Sequence, residues 1–196
     1  MRMTYWLLCF MLFAAGAHAA DAKNGGYRVG DRLAQAKAPA AADYKEIAWE
    51  ALVPADWDPM KAFKALDLAT LKDSDPKAME AMDQLKQAWN NAPVEPKMNG
   101  QRVRVPGFVV PLGTDLDRVR EFLLVPYFGA CIHVPPPPAN QMIHVFPKKP
   151  LKNAQIMGPI WIQGILETAT STTSFGGVGY RMKADGVEPY REKEGK

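Results

Sequence analysis

The chain has 196 residues, of which 47% are hydrophobic, and this length and composition predict one globular domain with a sizeable core. Its 24 Lys and Arg residues nearly balance its 21 Asp and Glu residues, so the formal net charge is only +3 at pH 7. We therefore expect no nucleic acid partner. The sequence contains no run of eighteen apolar residues, so no retained membrane span is predicted.

The N-terminus has the pattern of a secretory signal peptide. Arg2 precedes an apolar run at residues 6–15, and Ala17 and Ala19 are small residues at the −3 and −1 positions of a cleavage site. We expect residues 1–19 to be removed and the mature protein to be exported. A membrane anchor is the alternative interpretation, but the apolar run is short for a span.

The predicted mature chain begins with a segment that lacks hydrophobic periodicity. Residues 20–45 are rich in Ala, Lys, Gly and Asp, which predicts a flexible tether. A single globular domain is then predicted at residues 46–190. Its helical part covers about residues 60–92, and its barrel covers about residues 99–190.

Two helical segments are predicted ahead of the barrel. The first is a short piece at residues 60–71. The second begins where Asp75 can cap the first N–H groups and Pro76 occupies the first helical position. Four apolar residues recur at helical spacing in it and predict a face packed on the core. These residues are Met79, Met82, Leu85 and Trp89.

The pattern changes to a period of two after Asn99 and Gly100, which predicts strands. The first strand has Val103, Val105 and Val109 on one side, and Pro106-Gly107 in its middle predicts a bulge or an edge position. Further strands are predicted at 119–125, 141–146, 160–166 and 178–182, with loops at 153–158 and 168–177 and a peripheral tail from 185 onward. The predicted fold is mainly β with α (α+β), a small five-stranded, partly open barrel of the oligonucleotide/oligosaccharide-binding (OB) type preceded by a helical segment.

The chemically unusual residues are concentrated at 126–145. Cys9 and His18 fall in the predicted signal peptide, so the mature chain keeps Cys131, His133 and His144 as its Cys and His residues. A run of four prolines follows His133 and cannot continue a helix or a central strand. It predicts an extended polyproline rod of roughly 12 Å. The prolines are Pro135, Pro136, Pro137 and Pro138.

A metal site is one hypothesis for these residues. Residues i and i+2 of an extended segment point to the same side, so Cys131 and His133 can converge on one ion. His144 lies in the next predicted strand, and a return across the proline rod would bring it near. A thiolate with two imidazoles suits zinc or copper(I), with water or Glu121 as the fourth donor.

Three other interpretations of the same segment remain open. In an architectural clamp, Cys131 fills space beneath the loop, while Asn140 and Gln141 satisfy backbone groups at the end of the rod. In a thiol-dependent enzyme, His133 or His144 activates Cys131 and Asn140 orients the imidazole. In a docking module, the polyproline rod and its flanking aromatic residues bind a partner. Those aromatic residues are Tyr127 and Phe128.

Two long motifs resemble a known family. VRVPGFVVPL at residues 103–112 and FLLVPYFGACIHVPPPPANQ at residues 122–141 resemble a family of exported bacterial proteins, the domain-of-unknown-function family 3299, and the resemblance extends over residues 46–190. It implies a periplasmic accessory protein associated with ABC-type export or uptake components, in some cases in zinc-responsive settings. It supplies no catalytic residue, and His144 lies outside the recognised motif.

We therefore expect a non-enzymatic periplasmic accessory or binding protein that handles a transition metal, with zinc as the expected ion, or supports an ABC-type transporter. The alternatives are a thiol-dependent Cys/His enzyme and a purely structural docking module. The predicted metal ligands are Cys131, His133 and His144. The predicted binding loop consists of Tyr127, Phe128, Gly129, Pro135, Pro136, Pro137, Pro138, Asn140 and Gln141.

Overall fold

The computed structural model describes residues 26–33, 43–58, 75–113, 115 and 117–191. The predicted signal peptide and the predicted helical piece at 60–71 lie outside the described residues. The helices and strands in chain order are β1 (Lys45–Glu46), α1 (Pro76–Asn90), β2 (Gln101–Pro111), β3 (Phe122–Val125), β4 (Ile143–Pro147), α2 (Asn153–Ile156), β5 (Ile160–Thr173) and β6 (Gly176–Pro189). Short 3-10 turns occur at Trp49–Leu52, Pro96–Met98 and Ala139–Gln141.

The six strands form one sheet in the order β1-β2-β3-β4-β6-β5, and β2 also pairs with β5. The strand pairings therefore follow a closed circuit through the five strands β2 to β6. The β1–β2 and β4–β6 pairs are parallel, and the other pairs are antiparallel. The described part of the chain is thus a mixed α and β fold, in which the long helix α1 precedes the circuit.

All five predicted strands are present, but the last two are longer than predicted. The range 168–177, predicted as a loop, is largely a continuation of β5 into a tight hairpin with β6. Residues 168–173 are rich in Thr, whose branched side chain favours strands. Residues 186–189, part of the predicted peripheral tail, pair with β5, and the predicted loop at 153–158 contains α2.

Pro106 and Gly107 are accommodated in the middle of β2. β1 pairs with β2 as far as Arg104 and β3 pairs with it from Phe108, so Pro106 lies at the gap between the two partners, where a missing N–H breaks no ladder bond. The carbonyl of Pro106 accepts a hydrogen bond of 2.7 Å from the indole of Trp49. A Cβ on Gly107 would lie 2.8 Å from the side chain of Leu124, so the close approach of β3 requires glycine.

The predicted start of α1 is confirmed. Pro76 is its first residue, and a side-chain oxygen of Asp75 accepts a hydrogen bond of 2.9 Å from the N–H of Lys77.

The predicted core-facing stripe of α1 is wrong at its first two positions. Met79 is 60% exposed and Met82 is 53% exposed, whereas Leu85 and Trp89 are half-buried. The reason is that α1 meets the sheet near its C-terminal end, where the side-chain carbonyl of Asn90 accepts a hydrogen bond of 3.2 Å from the N–H of Gly177 in β6. The N-terminal half of the stripe therefore does not face the circuit.

Two hydrophobic clusters lie on opposite faces of the sheet. The inner cluster draws alternate residues from every strand of the circuit, including Val103, Phe122, Ile143, Ile162 and Tyr180. The outer cluster contains Phe108, Val110, Leu123, Val125, Ala130, Met142 and Val178, with Tyr27, Leu33, Leu112, Tyr127, Phe128, Cys131 and Phe175 packed against it. The outer cluster is the one that supports the predicted binding loop.

Candidate functional site

The candidate site is the loop between β3 and β4, residues 126–142, which we call the signature loop. Its first half is a tight turn in which the carbonyl of Gly129 accepts hydrogen bonds from the N–H groups of Ile132, His133 and Val134, at 3.2, 2.9 and 3.3 Å. Gly129 and Cys131 both have positive φ, 80° and 67°. The left-handed conformation is ordinary for glycine and uncommon for cysteine.

Cys131 packs against the outer cluster and is half-buried. Burial raises the pKa of the Cys131 thiol to about 11. The thiol is therefore protonated at neutral pH, whereas nucleophilic attack requires the thiolate. This environment favours a packing role for Cys131 over the activated nucleophile of the thiol-dependent hypothesis.

His133 and its neighbour Ile132 face outward from the turn. The side chain of His133 is exposed, and Ile132 is 63% exposed, the highest fraction among the large hydrophobic residues that the structure describes. The turn therefore buries Cys131 and presents the next two side chains to solvent.

His144 lies on β4, opposite Leu123 of β3 and Arg181 of β6. Its Nε2 atom is 3.3 Å from a carboxylate oxygen of Glu121, and its ring is 4.3 Å from that of Phe146, measured between centroids. Glu121, the predicted fourth metal donor, therefore does lie beside His144.

The predicted metal ligands do not form one cluster in the described structure. Within the described ranges, no three His, Cys, Asp or Glu side chains are grouped as ligands of one ion would be. The zinc hypothesis stays a prediction, and this structure offers no ligand set for it.

The aromatic residues before the turn pack inward, onto the protein. The hydroxyl of Tyr127 donates a hydrogen bond of 3.0 Å to the carbonyl of Pro135, the first residue of the rod. The ring of Phe128 packs edge-on against that of Phe108, with 5.6 Å between the centroids. Pro137 is buried. Tyr127 thus bonds to the start of the proline run, and Phe128 packs on β2.

The second half of the signature loop is anchored by Asn140, which is fully buried. Its side-chain amide donates a hydrogen bond of 3.0 Å to the carbonyl of Pro93, in the segment after α1. The N–H of Gln141 donates to the carbonyl of Pro138 at 2.8 Å and closes a 3-10 turn. Both contacts are of the kind that the clamp hypothesis predicts, because polar groups at the end of the rod satisfy backbone groups.

A segment that the sequence analysis assigned to the tether also belongs to the site. Residues 26–33, which we call the strap, lie along the signature loop. The N–H of Gly30 donates to the carbonyl of Phe128 at 2.8 Å, and the N–H of Phe128 donates to the carbonyl of Asp31 at 3.0 Å. Tyr27 packs on Phe108 with 5.3 Å between ring centroids.

Sequence reasoning missed the strap, although a weak signal was present. Tyr27, Val29 and Leu33 lie at odd positions, the spacing of a strand with one apolar side. The side chain of Val29 is close enough to Gly129 that an added Cβ there would lie 3.1 Å from it.

A groove of about 350 Å³ lies beside the exposed residues of the turn. It runs between the signature loop, the end of β2 and the segment that contains α2. Its lining residues are Phe108, Val109, Val110, Pro111, Val125, Phe128, Gly129, Ala130, Ile132, His133, Asn153, Ile156, Met157 and Gly158.

Comparisons with known proteins confirm the resemblance noted from the motifs. The model of a family described as "Protein of unknown function (DUF3299)" matches residues 49–189. A crystal structure of a DUF3299 family protein from Pseudomonas aeruginosa PAO1, at 2.45 Å resolution, is 34% identical in sequence with a TM-score of 0.59, over 76% of this chain and 98% of that chain. A search of curated proteins found no match. Among the described residues, no helix is long and apolar enough to cross a membrane.

Proposed function

This chain belongs to the DUF3299 family, and we propose that it is a non-enzymatic periplasmic accessory protein that binds a protein partner through the outer surface of the signature loop. The observation that carries the proposal is the contrast between the two sides of this loop. Its inner side is fixed by Tyr127, Phe128 and Asn140, while its outer side presents Ile132 at 63% exposure. A rigid loop with an exposed apolar side chain is suited to recognition, because little conformational entropy is lost on binding.

The chemistry of Cys131 supports a binding role over a thiol-dependent enzyme. A catalytic cysteine needs a lowered pKa and access to substrate, whereas burial raises the pKa of this thiol to about 11. The predicted signal peptide supports export, and the family resemblance supports a periplasmic location with a component of an ABC-type transporter as the partner.

We further propose that the strand circuit is a barrel of the OB type. Counted from β2, the circuit passes through the first, second, third, fifth and fourth strands and returns to the first. This order supports the proposal because it is a five-stranded Greek-key closure, and α2 lies between the third and fourth strands. The barrel is proposed as architecture alone, without nucleic acid binding.

The experiment that tests the proposed function is site-specific photo-cross-linking in intact cells. A photoreactive amino acid replaces Ile132 in one variant and Ile165 in another. Ile165 is a matched control, since it is also an exposed isoleucine, at 40%, but lies on β5. We expect position 132 alone to cross-link to a transporter subunit, identified by mass spectrometry. The absence of a product specific to position 132, or the same products from both positions, would contradict the proposal.

A further inference from the structure

The end of β2 has an open edge. The carbonyl of Arg104 accepts a hydrogen bond from the N–H of Ile47, which follows β1. The N–H of Leu112 donates a hydrogen bond to the carbonyl of Glu121, which precedes β3. The even-numbered residues of β2 therefore direct their N–H and carbonyl groups toward β1 and β3. Odd-numbered residues therefore direct theirs toward β5. β5 begins at Ile160, opposite Gly107.

Val109 is the next odd-numbered residue, and in the described part of the chain no strand pairs with that edge beyond Gly107. Its N–H and carbonyl groups face the groove without a ladder partner. Pro111 adds a carbonyl on the same edge and has no N–H to offer. The edge therefore provides one donor and two acceptors in the geometry of a β-strand.

The walls of the groove suit an apolar partner. Ile132 on the signature loop and Met157 after α2 are 63% and 45% exposed, and both line it. No Asp, Glu, Lys or Arg is among the described lining residues, and His133 is the one titratable side chain there. A charged segment would lose its hydration in this groove without gaining an opposite charge, so the groove is complementary to an uncharged segment.

We infer that the groove binds an extended, uncharged and largely apolar peptide segment of the partner protein, which adds as a strand to the edge of β2 at Val109. Strand addition derives affinity from main-chain hydrogen bonds and specificity from pockets for alternate side chains. Here Val109 and Pro111 supply the main-chain groups, while Ile132 and Met157 contact the side chains. This inference rests on the proposed function, since it specifies how the partner engages the same loop.

The test selects short peptides from a random display library on the purified mature protein, after removal of peptides that also bind an Ile132→Lys/Met157→Lys variant. Both positions are exposed, so we expect the variant to fold normally, which circular dichroism checks. Each selected peptide is then made again with N-methyl groups on alternate residues. This change keeps the side chains and removes the hydrogen-bond donors from one edge of the peptide.

The readout is amide hydrogen exchange of the bound and free protein. We expect selected peptides to be apolar at alternate positions and to slow exchange at Val109. Val110, whose N–H faces β3, is the internal control and should not change. The peptide whose N-methyl groups lie on the edge facing β2 should bind at least about tenfold more weakly, because it can no longer donate hydrogen bonds to the carbonyls of that strand.

Three results would overturn the inference. They are the enrichment of no peptide, binding that leaves hydrogen exchange at Val109 unchanged, and undiminished binding of both N-methylated versions of a peptide. A dimer in which Val109 is already protected would assign the edge to a second copy and would also overturn it. The cross-linking experiment separates this inference from the proposed function. A specific cross-link from position 132 without Val109 protection leaves the proposed function standing, whereas protection without a cross-link would show that the groove binds a peptide and that a transporter subunit is not its occupant.

Discussion

The inner and outer hydrophobic clusters use the same strands for different purposes. The inner cluster is made mostly of fully buried residues and contains the buried hydroxyl group of Tyr180. This hydroxyl donates a hydrogen bond of 2.6 Å to the carbonyl of Leu52 and accepts a hydrogen bond of 2.7 Å from the N–H of Glu95. The outer cluster has many half-buried members and contains the packed aromatic rings of Tyr27, Phe108 and Phe128.

The difference indicates which cluster holds the domain and which holds the loop. The inner cluster joins all five strands of the circuit, so its loss should unfold the chain as a unit. The outer cluster joins the strap and the signature loop to one face of the sheet, so its loss should release those segments first.

The largest effect is expected from Tyr180→Phe in the inner cluster. The change leaves a buried carbonyl and a partly buried N–H without their shared partner, so we expect the free energy of unfolding to fall by about 2–4 kcal/mol. Chemical denaturation measures the loss. Tyr44→Phe is the matched control: its hydroxyl donates to Asp185 at 2.8 Å near the surface, and its loss should cost less than about 1 kcal/mol. Equal losses in the two variants would contradict the expectation that the buried hydroxyl of the inner cluster contributes more to stability than a hydroxyl near the surface.

A smaller global effect and a larger local one are expected from Phe128→Ala in the outer cluster. Phe128 is half-buried, so we expect a loss of about 1–3 kcal/mol, less than for a fully buried ring. The same change should free Cys131 from its packing. Labelling of this thiol should therefore become at least about tenfold faster, since local opening then costs less. An unchanged labelling rate would show that the outer cluster does not control access to Cys131.

The effect expected to be smallest near neutral pH is the change of stability with pH. The pKa of Cys131 is raised to about 11 and that of Tyr180 to about 12, both by burial, so the folded chain keeps protons that the unfolded chain releases at lower pH. Stability is therefore full below the ordinary thiol pKa of about 8.5 and falls as pH rises toward 11 and 12. Denaturation at a series of pH values measures the fall.

Cys131→Ala should reduce the loss of stability that begins near the pKa of an ordinary thiol. A loss of the same size in the variant would show that Cys131 does not cause it.

Added zinc tests the metal hypothesis in the unsubstituted protein. If Cys131 only packs, thiol labelling should be slow at neutral pH with or without zinc. Suppression of labelling by stoichiometric zinc would support the metal site of Cys131, His133 and His144.

The elements predicted well were those whose signals are local. Asp75 and Pro76 mark the start of α1, and alternation of apolar residues marks the five strands. The parallel pairing of β4 with β6 and the two-residue β1 left no comparable signal, because each depends on a partner far along the chain. The exposure of Met79 likewise depends on where α1 meets the sheet.

The sequence distinguishes the candidate site by its composition, but it does not predict the geometry of that site. Its unusual composition identified Cys131, the proline run and Asn140, and the structure shows the contacts of Asn140 and Tyr127. The positive φ of Cys131 and the open edge at Val109 have no local sequence signal, since the first comes from the turn around Gly129 and the second from the starting point of β5.

The closed circuit also has a consequence for the time course of folding. It closes only when Gln101 meets Leu166 and Ile143 meets Tyr180, pairs that are remote along the chain. Domains dominated by such non-local pairs fold in milliseconds to seconds. Because synthesis proceeds from the N-terminus, β2 to β4 emerge with unpaired edges before β5 and β6 exist. We therefore expect the nascent chain to depend on holding chaperones more than a helical protein of the same length would.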